Sequence, residues 1–119
     1  MYKFLLFLRE NMDQIKAAEA KALELLHGAG DEQGYRENMR LKAQILADLA
    51  DNAQPFLDDV SSVHRPTIEH RLNMFAQSAQ RSLDLDSVFY MSALLYPEDH
   101  EPGQPTTLEL WIRDLERLQ

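Results

Sequence analysis

The stretch 85–96, with the sequence LDSVFYMSALLY, constrains the fold more than any other part of this chain. Between Val88 and Tyr96, Ser92 is the only residue outside the apolar and aromatic classes, so a helix built here has no side to offer to water. Such a helix spans about 18 Å, far less than the roughly 30 Å hydrocarbon core of a bilayer. The stretch therefore predicts a buried apolar helix with the rest of the chain packed around it.

The other long segments repeat their apolar residues with a helical period. In the first of them, Leu5, Leu8, Met12 and Ile15 recur in steps of three and four, and the stripe continues through Glu19. No segment shows the alternation that is typical of a strand. The sequence therefore predicts an all-α fold, a compact helical bundle of about five helices in one domain over 1–119. Helices are expected over 2–27, 31–53, 66–83, 85–96 and 106–118, with a short helical segment after Pro55.

Turn residues mark the ends of these helices. Gly28 and Gly30 supply the backbone freedom that a helix C-terminus needs, and Asp31 is a good N-cap directly after them. This short connection predicts that the first two helices form an antiparallel hairpin. Thr106 and Glu109 have the spacing of a capping box. Residues 97–105, PEDHEPGQP, are rich in proline and acids and are expected to form an exposed loop before the last helix.

Charge and composition exclude several classes of function. The net charge is −8, and an acidic surface repels phosphate groups, so we expect no nucleic-acid binding and no binding to anionic membranes. The chain has no cysteine, which excludes disulfides and thiolate metal sites and fits a cytoplasmic protein. It also lacks a phosphate loop, a dinucleotide fingerprint and a nucleophile elbow. We therefore expect no cofactor and no catalytic residue.

The best metal-site candidate is Glu24 with His27, because three residues along a helix place both side chains on one side. Di-iron bundles use two such E-x-x-H motifs, and this chain has only one. A helix end at which His27 meets the negative pole of the helix dipole is the simpler interpretation. His64 and His70 lack an aligned third ligand and are interpreted as polar surface.

Two further features allow either a structural or a functional interpretation. Tyr90 and Tyr96 each need a hydrogen-bond partner if they are buried, or they line a pocket between helices. Residues 61–83 form the only net-basic segment, with a charge of +2. Its arginines either offset the acidic neighbours within the same molecule or provide a docking face for an acidic partner.

The sequence favours a non-catalytic module for protein–protein interaction, with a partner protein or as a homodimer. The apolar turn near the N-terminus needs to dock on the chain's own core or on a partner, because an untethered terminus frays. The candidate interaction residues are Phe4, Phe7, Leu8, Arg65 and Arg71. The alternative is a metal- or small-molecule-binding bundle, which includes the case of an enzyme. A third hypothesis is an antitoxin-like protein that masks a basic target.

Overall fold

The computed structural model describes residues 1–118 and shows an all-α fold, as the sequence predicts. Its long dimension of 48 Å follows from the first helix, whose 28 residues span about 42 Å. The helices are α1 (Tyr2–Ala29), α2 (Glu32–Ala47), α3 (Leu49–Ala53), α4 (Arg65–Asp84), α5 (Val88–Ala93) and α6 (Thr107–Glu116), with a 3-10 helix at Gln54–Asp59.

The predicted hairpin of α1 and α2 is confirmed. Gly30 ends α1 in the left-handed conformation, with a φ of 64°, and Asp31 caps α2 by accepting a hydrogen bond from the Gly34 amide. Glu19 pairs with Lys42. Leu25 reaches Gly34, so the residue numbers in contact run in opposite directions along the two helices. A Cβ at position 34 would lie 2.5 Å from the capping carboxylate of Asp31 and 2.7 Å from Leu25, so a larger residue here would disturb the cap and the contact with α1.

The second predicted helix is broken near its end. The sequence predicts one helix to Ala53, whereas α2 ends at Ala47, and α3 begins at Leu49 after a turn residue, Asp48. Pro55 lies in the first turn of the 3-10 helix, where its missing N–H leaves no hydrogen bond unmade. These short elements return the chain to the start of α1, where the Asp59 carboxylate accepts hydrogen bonds from the backbone amides of Lys3 and Phe4 at 2.7 and 3.2 Å.

The main core forms where α1, α3, α4 and α6 meet. Phe4 packs edge-on against Trp111 with ring centroids 6.2 Å apart, and Phe7 stacks on Phe56 at 4.9 Å. Trp111 also contacts Phe75 of α4 at 5.7 Å. This aromatic cluster joins the two ends of the chain to its middle.

The prediction of a buried helix over 85–96 is wrong. Only Val88–Ala93 is helical, and α5 lies at the surface, with Phe89 72% and Tyr90 54% exposed. Met91 and Leu95 are the residues of this stretch that enter the core. The apolar stripes of the longer helices already fill the centre, so a helix of fewer than two turns has only one buried side.

The end of the chain follows its sequence signals. Thr106 caps α6, and its hydroxyl and Glu109 form both hydrogen bonds of the capping box. Residues 97–105 contain only turns and bends and are largely exposed, so the structure places the acidic loop directly before α6. Within residues 1–118, none of the helices combines the length and the apolarity that a bilayer span requires.

Candidate functional site

A groove runs between α4 and the segment 90–95, with Leu46 of α2 and Thr107 of α6 also lining it, and is the best candidate for a binding site. It consists of two adjoining cavities of about 430 and 420 Å³, which share Ser78, Ala93 and Leu94. Arg71, Phe75, Ser78, Ser82 and Leu85 form one wall, in helical steps of three and four, and the segment 90–95 forms the other. From Arg71 to Leu85 the groove is about 21 Å long. We call it the α4–α5 groove.

Small residues at the middle of the groove keep it open. Ser78 on α4 faces Ala93 at the end of α5, and both are exposed. Neither side chain is long enough to fill the space between the two walls. The groove is therefore a property of these two side chains as well as of the backbone.

Large apolar side chains surround the α4–α5 groove. Leu85 is 60% exposed and Met74 is 52% exposed. Phe89 and Tyr90 project from α5, with their rings 5.6 Å apart in an edge-to-face arrangement. Exposed apolar side chains that cluster along a groove mark interaction sites more often than side chains that are scattered singly over a surface. The groove and its rim together have the composition of a contact surface.

Two arginines give the groove positive charge, Arg71 at one end and Arg81 about 15 Å further along α4. The Arg71 guanidinium lies over the Phe75 ring, 5.3 Å from its centroid. Within residues 1–118, neither Arg71 nor Arg81 has a carboxylate at ion-pair distance. The acids near Arg81 are engaged elsewhere, because Asp84 accepts a hydrogen bond from Gln80 and Asp86 pairs with Arg40.

Two residues in the left-handed region fix the position of α5. Asp86, before the helix, has a φ of 48°, and Leu95, after it, has a φ of 75°. Such values are uncommon for residues other than glycine and cost free energy. The Leu95 carbonyl accepts a hydrogen bond from the Thr107 amide at 3.1 Å, which ties the strained end of the groove to α6. The turns at Asp86 and Leu95 also explain why 85–96 does not form one continuous helix.

A second feature is a lysine that is completely buried. Lys42 is 0% exposed, and its ammonium donates to Glu19 and to the Ser92 carbonyl, both at 3.0 Å. The ammonium also lies 4.9 Å from the centroid of the Tyr96 ring. The Tyr96 hydroxyl donates to the same Glu19 carboxylate at 2.7 Å. These groups join α1, α2, α5 and the start of the 97–105 loop.

This network shifts the pKa of two of its members. Burial lowers the pKa of Lys42 from its usual 10.5, although the charge and hydrogen bond of Glu19 act in the opposite direction. Burial, together with the Glu19 carboxylate, raises the pKa of Tyr96 above its usual 10. Because the ammonium has a carboxylate, a carbonyl and a ring as neighbours, it is already satisfied within the protein. The network stabilises the packing of helices and leaves no free Lys42 donor for a ligand.

The phenol of Tyr96 should therefore stay protonated at pH 10, where an unperturbed phenol is half ionised. We expect the absorbance of tyrosinate near 295 nm to be the same at pH 10 in the wild-type protein and in Tyr96→Phe. The same comparison after unfolding in denaturant is the control, and there the wild type should show one more ionising phenol. A tyrosinate signal that Tyr96→Phe removes from the folded protein at pH 10 would contradict the hydrogen bond to Glu19.

A polar cleft of about 400 Å³ lies beside Tyr96, between α1, the 97–105 loop and α6. Lys16 pairs with Glu109 across it at 2.8 Å. His100 packs edge-on against Tyr96 at 4.9 Å. The charged groups of the cleft are thus largely paired. The cleft is nevertheless the place where Tyr96 borders open space, as the interpretation of this tyrosine as a pocket residue requires.

The structure does not gather the predicted metal-site candidates into a centre. Glu24 and His27 are both exposed near the end of α1. His70 is exposed on α4, while His64 is half-buried directly before that helix. Within the described residues 1–118, no group of three or more histidine, aspartate or glutamate side chains is arranged to hold a metal ion.

The predicted interaction residues are found in different environments. Phe4, Phe7 and Leu8 are buried in the core of the same chain, so the N-terminal turn docks internally and these three side chains are not available to a partner. Arg65 is half-buried and donates to the Val60 carbonyl at 2.9 Å. Arg71 remains at the surface as part of the α4–α5 groove.

No protein-family model, no curated protein and no solved structure matches this chain.

Proposed function

We propose that this protein is a non-catalytic module for protein–protein interaction and that the α4–α5 groove is its contact surface. The observation that supports this most strongly is the exposure of Met74, Leu85 and Tyr90 along an open apolar groove. Exposed aromatic side chains next to a groove are typical of the anchors that dominate binding energy in interfaces. The partner is another protein or a second copy of this chain, and the homodimer and the cytoplasmic location stay predictions.

A tryptophan at position 78 tests this proposal, because it would fill the middle of the groove without touching the core. Ser78 is exposed and lines both cavities, whereas its neighbour Gln77 is exposed and lines neither of them. We expect Ser78→Trp to abolish the interaction and Gln77→Trp, the matched control, to retain it. Both variants should unfold at the same denaturant concentration as the wild type, since neither residue is buried.

Two measurements cover the two kinds of partner. Sedimentation equilibrium over a range of concentrations detects self-association, and quantitative mass spectrometry of affinity-purified protein from host extract detects other proteins. The proposal is supported by an association that Ser78→Trp abolishes and Gln77→Trp retains. It is overturned if the wild type is monomeric and every protein that it captures is also captured by Ser78→Trp.

A small-molecule-binding bundle is the second proposal, and the polar cleft beside Tyr96 supports it. Native mass spectrometry of protein purified from its host separates the two proposals, because it reports oligomeric state and retained mass together. A monomer with a retained small molecule that His100→Ala releases would favour the cleft. A metal lost on His27→Ala would favour the metal site predicted from Glu24 and His27 instead.

A further inference from the structure

The α4–α5 groove has the dimensions of a site for a single helix. Its length of about 21 Å equals roughly four helical turns, or about 15 residues. The α4 side chains that form its wall recur in steps of three and four, so the groove follows one face of a straight helix, and a second helix can lie alongside such a face. An extended strand would need unpaired backbone groups to pair with, and the side chains on this surface come from helices and a short turn.

The charges at the groove indicate the sign of the charge that a partner should carry. Arg71 and Arg81 lie ten residues apart on α4, about 15 Å along its axis. They have no carboxylate partner within residues 1–118, although the protein as a whole carries a net charge of −8. Two free cations about 15 Å apart along an apolar groove favour a ligand that has an acidic residue near each end of its apolar stripe, at the same separation.

The same charges disfavour a second copy of this chain as the occupant. In a symmetric dimer through this surface, each copy presents the same patch, so the arginines of the two copies are brought together. The apolar stripe of α6 is also not available for insertion by a second copy, because Leu108, Trp111 and Leu115 are buried in its own core.

From these observations we infer that the α4–α5 groove binds an acidic amphipathic helix of another protein, with apolar residues over about four turns and a carboxylate near each of Arg71 and Arg81. This inference rests on the proposed function and adds the secondary structure and the charge of the partner. The partner's apolar side chains lie between Met74, Leu85 and Tyr90, and its carboxylates pair with the two arginines. Binding weakens as salt concentration rises, because exposed ion pairs are screened.

A displayed library of helical peptides tests the inference directly. The probe is a set of peptides of about 15 residues, with apolar residues fixed in one stripe and every other position varied among glutamate, glutamine and lysine. After selection on the full-length protein, we expect glutamate to be enriched near both ends of the stripe and lysine to be depleted. The double variant Arg71→Glu, Arg81→Glu should reverse this preference, because the charges at the groove change sign while both residues stay exposed.

The outcomes separate this inference from the proposed function. The inference is supported if the selected peptides are enriched in glutamate, fail to bind Ser78→Trp and still bind Gln77→Trp. Peptides that bind in the groove with lysine as often as glutamate overturn the charge selection but leave the groove as a contact surface. A homodimer that Ser78→Trp dissociates also overturns the inference while confirming the proposed function. If the selection yields no peptide whose binding depends on position 78, the inference of a helical partner is overturned.

Discussion

Glu19→Gln should lose about 3 kcal/mol of the free energy of unfolding at pH 7, because it leaves a buried ammonium without its counter-charge. Lys42 is completely buried, and Glu19 is the carboxylate bound to it in the structure. The glutamine retains nearly the same shape and can still accept a hydrogen bond, so the loss reports the charge. Urea unfolding followed by circular dichroism measures it.

Lys42→Met is the matched comparison and should change stability far less. Removing the lysine leaves Glu19, which is partly exposed to water and still accepts the Tyr96 hydrogen bond. Replacing a buried charge by an apolar side chain of similar volume is often neutral or stabilising, whereas leaving a buried charge without its counter-charge is strongly destabilising. A loss for Lys42→Met as large as that for Glu19→Gln would mean that the ion pair itself contributes net stability, against this expectation.

The loss in Glu19→Gln should also become smaller as pH rises towards 10. Burial lowers the pKa of Lys42 from 10.5, and the variant lacks the Glu19 charge that opposes this effect. Between the folded-state pKa and 10.5, the unfolded chain binds more protons than the folded protein, so the stability contributed by this group rises with pH. This rise should be larger in Glu19→Gln than in the wild type, and it should be absent when Lys42→Met is added.

The sequence contains a signal for this ion pair in the positions of its two residues. Glu19 lies on the apolar stripe of α1, and Lys42 occupies the corresponding position between Met39 and Leu46 on α2. Two opposite charges on the facing stripes of an antiparallel hairpin indicate a buried pair. The helix limits set by Asp31 and Thr106 were predictable for a related reason, since capping depends on residues within one turn.

The position of α5 could not be predicted in the same way. The apolar character of a segment indicates that it should be buried, but it does not show which helices occupy the centre of the core. The left-handed conformations at both ends of α5 occur at Asp86 and Leu95, not at a glycine that the sequence would reveal. The α4–α5 groove was hidden for the same reason, because Ser78 and Ala93 are unremarkable until the fold places them opposite each other.

Phe4→Ala should cost about 4 kcal/mol, because it removes a completely buried ring from the aromatic cluster. Phe4 contacts both Trp111 of α6 and Phe7 of α1, so the loss leaves a cavity at the junction of the two ends of the chain. A domain of this size has a total stability of roughly 5–15 kcal/mol. The melting temperature should therefore fall by about 15 °C in a thermal scan followed by circular dichroism.

Tyr2→Ala is the control for this prediction, since it deletes an aromatic ring two residues earlier whose side chain is 68% exposed. A substitution at such a position usually changes stability by less than about 0.5 kcal/mol.

If Phe4→Ala does not fold well enough to be measured, Phe4→Leu should show a smaller loss, since leucine retains much of the buried apolar volume. The internal docking of the N-terminal turn requires the order wild type, Tyr2→Ala, Phe4→Leu, Phe4→Ala from most to least stable, with the first two nearly equal. Equal losses for Tyr2→Ala and Phe4→Ala would show that the turn is not packed on this core, and Phe4, Phe7 and Leu8 would again be candidates for contact with a partner.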